Sequence, residues 1–344
     1  MVICLLLLIV SAVAFGFMTG FHDASNIVAT MIASRALSPR RALALTTICE
    51  TLGPCIFGVA VANTIGHDVI SGETVTLAVV IAALLGAIVW SLLTWWLGIP
   101  SSSSHALIGG IIGAAALENG IKHGFENSFS VIRMAGLQKV LIALFISPFI
   151  GLIVGFVLQR LILNFMVAVR AEPRANNFFR VGQIFTGCAL GLSHGANDAQ
   201  KTMGMIAMGL VATGFQKQFA VSWWVIAIGA ASIGAGTAAG GYRLIKTLGF
   251  KLYKIWPIHG FTTQLSSAAV ILTAALVGGP VSTTQVVSGA ILGVGASENV
   301  RKVRWQMAAN IAMSWILTIP AAGGVAAGIY CLVKYLMKHL GGPL

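Results

Sequence analysis

Long apolar runs separated by short polar gaps set the pattern of this chain. Val2–Phe21, Ala42–Ile65, Val75–Leu97, Val140–Leu158, Ala220–Gly240, Phe261–Val277 and Trp305–Ile329 are each mostly apolar. About 20 such residues in a helix cross the hydrocarbon of a bilayer, so each run predicts a membrane span. Backbone groups in lipid must find partners within their own segment, which at these run lengths means helix. No stretch between the runs suits a water-soluble domain. Val2–Phe21 has no basic leader and runs straight into a polar motif, so it is predicted as a retained helix and not a cleaved signal.

The pattern also repeats. Gly20-Phe21-His22-Asp23-Ala24-Ser25-Asn26 matches Gly195-Ala196-Asn197-Asp198-Ala199-Gln200-Lys201 at an offset of 175 residues. Pro100-Ser101-Ser102-Ser103-Ser104-His105 matches Pro280-Val281-Ser282-Thr283-Thr284-Gln285 at an offset of 180. The second match continues through Gly109/Gly289 and Gly113/Gly293 to Glu118-Asn119 against Glu298-Asn299. Two motifs in the same order at nearly one offset predict a duplicated unit. The boundaries are 1–160 for the first repeat, 161–177 for a central cytoplasmic loop and 178–344 for the second repeat.

Loop charge gives the orientation. Arg35, Arg40 and Arg41 fill the first gap of repeat 1, whereas the next gap holds Asp68 and Glu73. In repeat 2 the order flips: the first gap carries Lys217 alone and the next carries Arg243, Lys246, Lys251 and Lys254. Basic loops stay on the cytoplasmic side, so equivalent loops are expected on opposite sides. The central loop, with Arg170 and Arg174, and Arg301–Arg304 fall inside on this scheme, while Lys334 and Lys338 fit less well. The fold expected is therefore an all-α polytopic membrane protein of two inverted-topology repeats. Broken or re-entrant helices bring the total to about 10 crossings, up to 12, the build of secondary transporters.

Composition agrees and removes alternatives. Of 344 residues, 57% are hydrophobic and 9% charged, and mean hydropathy is +0.92. Soluble domains carry about a quarter charged residues. The net charge of +12 lies in the gaps and not in a basic run with interleaved aromatics, so no nucleic-acid partner is expected. The five cysteines are scattered and form neither a disulfide framework nor a metal spacing. No cofactor is expected. Ser103 or Ser104 beside His105 lacks the nucleophile elbow of a hydrolase, so an enzyme is not expected either.

The chemistry concentrates in four motifs. Asp23 and Asp198 are intramembrane carboxylates at matching positions, which marks them as functional candidates. Asn26 and Lys201 follow each by three residues and share its helix face. Gly20 and Gly195 would permit an unwound backbone, so each motif is expected to start a helix. Pro100 and Pro280 suit a first helical turn, followed by Ser102, Ser103, Ser104 and by Ser282, Thr283, Thr284. Facing helix N-termini with hydroxyl donors would hold an oxyanion. A carboxylate beside them favours a protonated oxyanion, because it accepts a hydrogen bond from the O–H that phosphate carries and sulfate lacks. Each Ser or Thr also has a simpler role as a cap or as interhelical glue. His22, His194 and His105 flank the motifs as proton relays or packing groups. Glu50, within an apolar run and without an acidic counterpart in repeat 2, is either a proton site or a packing acid. Glu118 and Glu298 are expected near helix ends.

At these residues the chain resembles the inorganic phosphate transporter (PiT) family over essentially its full length. The carriers are Gly20–Asn26, His194–Asp198 and the two Pro-led Ser/Thr segments, against a duplicated G-x-N-D-x-x-N signature. The resemblance implies cation-driven phosphate uptake by alternating access, usually as a homodimer in the cell (inner or plasma) membrane. It implies a substrate and coupling site around Asp23, Asn26, Ser102–Ser104, Asp198, Lys201 and Ser282–Thr284, with His22, Asn197 and Glu50 as further coupling-ion candidates. Two positions depart from the signature: His22 stands for Asn, and Lys201 for the closing Asn. Lys201 puts a tethered ammonium where a sodium ligand is expected. The Gln-Lys version is similar to the bacterial low-affinity branch, which couples to H⁺ and carries free phosphate or metal–phosphate complexes. A sulfate permease on the same scaffold and an anion channel remain the rival readings.

Overall fold

A computed structural model describes residues 2–70, 75–168, 175–240, 245, 247, 249 and 253–339. Among them the regular structure is helical. The first five long helices are α1 (Val2–Ala33), α2 (Pro39–Ile56), α3 (Leu77–Leu97), α4 (Ser103–His123) and α5 (Met134–Ala168). The next five are α6 (Ala175–Ala212), α7 (Trp223–Ala239), α8 (Pro257–Leu276), α9 (Thr283–Asn299) and α10 (Trp305–His339). By length and composition α1, α3, α5 and α10 can each cross a bilayer.

Local sequence explains the breaks. Pro39 opens α2, where its missing N–H costs no hydrogen bond. The predicted Ala42–Ile65 span is not one straight helix. It stops at Ile56, passes Gly58 in a left-handed conformation (φ 82°), and resumes as a short turn at Ala60–Asp68, bent by 71°. Thr76 caps α3 by accepting from the Val79 N–H, and Gly98 ends it in the left-handed region that L-side chains avoid. α6 was absent from the predicted spans. Its 38 residues carry His194, Asn197, Asp198, Gln200 and Lys201 in mid-helix, and those polar groups dilute its apolar signal.

Two sequence expectations are corrected here. Gly20 and Gly195 do not start helices; each lies inside a continuous one. Their lack of a side chain serves close packing instead. A Cβ on Gly20 would sit 2.0 Å from the Ile233 carbonyl oxygen, and one on Gly195 2.0 Å from that of Glu50. Pro100 and Pro280 do not occupy first turns either. α4 and α9 begin three residues later, capped by Ser102 and Ser282, whose hydroxyls accept from the backbone N–H of His105 and Gln285. The serines compete better for the capping position because they satisfy a free N–H there.

The two sets of five pack reciprocally. α1 lies on α7 and α6 on α2; α5 lies on α9 and α10 on α4. α3 contacts α1 and α10, as α8 contacts α6 and α5. Arg35 after α1, Arg180 in α6, Lys254 before α8, and Lys302 and Arg304 after α9 all line one cavity of about 940 Å³. Elsewhere Asp68 joins Arg133 and Lys139 around a smaller cavity, and the Phe219 ring packs on Gly66 and His67. Glu73, Arg170, Arg174, Arg243, Lys246 and Lys251, together with the Lys338 side chain, lie outside the described residues.

Candidate functional site: a buried acid–hydroxyl centre

α1 and α6 present their polar motifs to the first turns of α4 and α9. Asp23 is buried, and its Oδ1 accepts from Asn26 Nδ2 (3.1 Å) and Thr284 Oγ1 (2.9 Å). His22 Nδ1 lies 3.0 Å from the same oxygen. Ser103 Oγ donates to Asp23 Oδ2 at 2.8 Å. Asp198 repeats this pattern with different partners. Thr283 Oγ1 donates to its Oδ2 at 2.9 Å, and the Lys201 ammonium donates to its Oδ1.

The cross-contacts repeat as well. Asn26 Nδ2 donates to Thr284 Oγ1 at 2.9 Å, and its counterpart Lys201 Nζ donates to Ser104 Oγ at 2.5 Å. Lys201 Nζ also reaches the Val281 carbonyl at 3.2 Å, so all three ammonium donors have an acceptor. Each carboxylate therefore receives a hydroxyl from the first turn of a helix, where unsatisfied N–H groups and the helix dipole favour negative charge. The hydroxyls are satisfied by protein groups.

The half-centre on α6 continues further. His194 Nε2 lies 2.9 Å from Asp198 Oδ2, and its Nδ1 makes an ion-pair contact with Glu50. Both are close contacts without hydrogen-bond alignment. Thr237 of α7 donates to the other Glu50 oxygen. Glu50, His194, Asp198 and Lys201 thus form one buried chain of ionisable groups. The sequence leaves Glu50 open between proton site and packing acid, and His194 open between proton relay and packing group. The signal was there: a helix places residues 194, 198 and 201 on one face. What sequence could not show is that α2 packs on that face.

An oxygen of Asp23, a ring nitrogen of His194 and an oxygen of Asp198 lie within 4.8 Å of one another. Metal-ligand spacing along the chain could not reveal this cluster, because the fold assembles it across the two repeats. The mixed set of two carboxylates and an imidazole suits a proton or a cation shared between carboxylates. The ammonium already on Asp198 opposes a further full positive charge there.

Several predicted site residues lie apart from the carboxylates. Ser102 and Ser282 are capping residues. Asn197 Nδ2 donates to the Gly279 carbonyl at 3.2 Å, next to the segment leading into α9. His105 sits by Ser102 (2.7 Å) and edge-on to Phe145. Gln200, not singled out in the sequence, accepts from Val61 N and Ala62 N and stitches α6 to the break after α2.

A helical membrane protein that buries a duplicated acid–hydroxyl centre at the mouths of interrupted helices is a solute transporter by class. The chain belongs to the phosphate transporter family, whose model matches residues 19–326. It is 43% identical over 342 residues to a probable low-affinity inorganic phosphate transporter of Mycobacterium tuberculosis (strain ATCC 25618 / H37Rv), covering 99% of this chain and 80% of that relative. It is 38% identical over 339 residues to a protein of the same description from Bacillus subtilis (strain 168), covering 98% and 99%. A solved structure described as the sodium-dependent phosphate transporter shares the fold, with a TM-score of 0.85 over 97% of this chain and 99% of that one at 24% identity.

Proposed function

We propose that the chain imports inorganic phosphate across the cell (inner or plasma) membrane in symport with a cation, H⁺ in preference to Na⁺. It works by alternating access between two inverted repeats, residues 1–160 and 178–344, joined by the central loop 161–177. The reciprocal packing of α1–α5 and α6–α10 supports the repeats. The gathering of Arg35, Arg180, Lys254, Lys302 and Arg304 around one cavity supports their inversion, because loop charge assigns those segments to the cytoplasmic side. A homodimer of such chains is the assembly this reading expects. The relatives named as phosphate transporters support the substrate.

The observation that carries the coupling choice is Lys201. Its ammonium is bound to Asp198 and Ser104 at the position matched by the neutral Asn26 in the other repeat. A sodium ion at Asp198 would have to displace a tethered cation. Among the described residues Asp23 pairs with no lysine or arginine, and it is the carboxylate left to take up a coupling proton. Phosphate exchanges for the carboxylates at the hydroxyls of Ser103, Ser104, Thr283 and Thr284, and returns a hydrogen bond through its own O–H.

Uptake of labelled phosphate into proteoliposomes tests this. An inward proton gradient drives uptake without sodium, a protonophore abolishes it, and excess sulfate leaves it unchanged. Strict sodium dependence would sink the coupling assignment. Sulfate entry in place of phosphate would sink the substrate, and uptake indifferent to any cation gradient would make the protein a channel.

A further inference from the structure

Between the acid–hydroxyl centre and the basic cavity lies a seam of buried polar side chains on α1, α6 and α8. Nearest the cavity, Ser34 Oγ donates to Gln183 Oε1 at 2.8 Å, and Gln183 Nε2 donates to the Pro257 carbonyl at 3.1 Å. Ser34 and Pro257 themselves line the cavity, so Gln183 underlies its floor. One turn deeper, Thr186 Oγ1 donates to Gln264 Oε1 at 2.7 Å, and Gln264 Nε2 donates to Thr30 Oγ1 at 3.0 Å. A further turn along α1 brings Asn26 and Asp23. On α6 the same face runs from Gln183 through Thr186 to His194 and Asp198. Ser267, one turn on from Gln264, has a buried hydroxyl without a partner.

The duplication supplies an internal control. The offsets of 175 and 180 map Thr30, Ser34, Gln183 and Gln264 onto Met205, Gly209, Leu8 and Leu84. Leu8, Leu84 and Met205 are buried in one hydrophobic core, and Gly209 packs against the Leu8 side chain. One scaffold thus carries a hydrogen-bonded plug towards the basic cavity and, apart from the buried Ser11 at the place of Thr186, an oily plug at the equivalent place. Buried amides gain little net stability from pairing with each other, so apolar side chains would close the seam at least as well. Amides have an advantage only where water and a polar solute must pass, because their groups exchange protein partners for water.

We infer that this seam is the inner gate of the phosphate path, with Gln183 and Gln264 as its two layers, and that the basic cavity is a second anion site which receives phosphate beyond it. The inference rests on the proposed transport function. The cavity suits the role. Among the described residues its lining carries Arg35, Arg180, Lys254, Lys302 and Arg304 together with the carboxylate of Glu298, which is itself held by His259 at 2.6 Å and Tyr253 at 2.9 Å. A concave surface with an excess of one sign of charge concentrates counter-ions and speeds their capture. The ligand chemistry is a phosphate dianion or monoanion, free or as a lipid headgroup, and the free ion is the one proposed.

The test has two parts. Gln264→Leu and Gln183→Leu keep side-chain volume and remove the exchangeable groups. Each is expected to slow uptake by about tenfold or more while binding of labelled phosphate to the purified protein stays within about twofold, since the centre is untouched. The retained binding shows that the variants are folded. Arg180→Gln with Lys302→Gln is then assayed for phosphate–phosphate exchange in right-side-out and inverted membrane vesicles. The KM is expected to rise about three- to tenfold in inverted vesicles only, with the difference shrinking at high salt. Normal uptake by both glutamine variants, or an equal KM shift on both faces, or none, overturns the inference. A shift that vanishes when anionic lipid is diluted with phosphatidylcholine assigns the cavity to a headgroup and overturns it as well. Wild-type vesicles that exchange no phosphate would count against the transport function itself.

Discussion

Asp23 and Asp198 hold equivalent positions in the two repeats, yet their partners differ in charge. Asp23 is held by the neutral donors Asn26, Ser103 and Thr284, with His22 alongside. Asp198 is held by the Lys201 ammonium and Thr283, and beyond it His194 bridges to Glu50. The backbone frame is common to both, and the charge is not. The difference teaches that one packing frame can hold a carboxylate in a buried ion pair at one place and among amide and hydroxyl donors at the matching one.

The largest expected effect follows from that pairing. Asp198→Asn strands a buried ammonium, and removing one partner of a buried pair costs about 3–5 kcal/mol. Thermal unfolding in detergent will show a large drop in Tm. Adding Lys201→Gln will recover most of it, as a double-mutant cycle measures. Asp23→Asn strands no lysine or arginine and will lower Tm far less, while both single variants lose uptake. Equal destabilisation by the two substitutions would contradict the asymmetry.

Packing should be symmetric where charge is not. Gly20→Ala and Gly195→Ala each force a Cβ to within 2.0 Å of a neighbouring backbone oxygen. Overpacking of this kind costs about 1–3 kcal/mol, and the two variants are expected to match in unfolding assays. A cost confined to one repeat would show that the halves do not pack alike.

The smallest effect belongs to another matched pair, Glu118 and Glu298. Glu118 accepts from Thr76 and pairs with the half-exposed Lys122 at 2.7 Å. Lys122→Ala will change stability by no more than about 1 kcal/mol, because the ammonium is half in solvent and the buried Glu118 keeps the Thr76 hydroxyl. A larger loss would mean that this pair is shielded from water in the assembled protein.

Much of this was legible in the sequence, for physical reasons that differ by element. α3 and α10 follow from apolar runs, which need no tertiary information. The duplication exposed both aspartates and both Ser/Thr segments, since symmetry is visible in one dimension. α6 escaped because its polar face is buried against α2 and α8, and hydropathy alone cannot distinguish buried polar residues from a loop. The glycines were misread because Gly permits both a left-handed turn and close helix contact. Gly20 and Gly195 serve the second use. Glu50 and His194 met only once α2 packed on α6, a contact with no sequence signature.

The central claim is that Asp23 carries the coupling proton while Lys201 holds the matching cation place at Asp198. Proteoliposomes loaded with a pH indicator, given external phosphate without sodium, test it most directly. The account predicts internal acidification that tracks phosphate entry and is lost in Asp23→Asn. It further predicts that Lys201→Asn, which makes the second half-centre neutral like the first, brings in a dependence on sodium. Phosphate entry without proton movement, driven only by a sodium gradient in the unmodified protein, would contradict it.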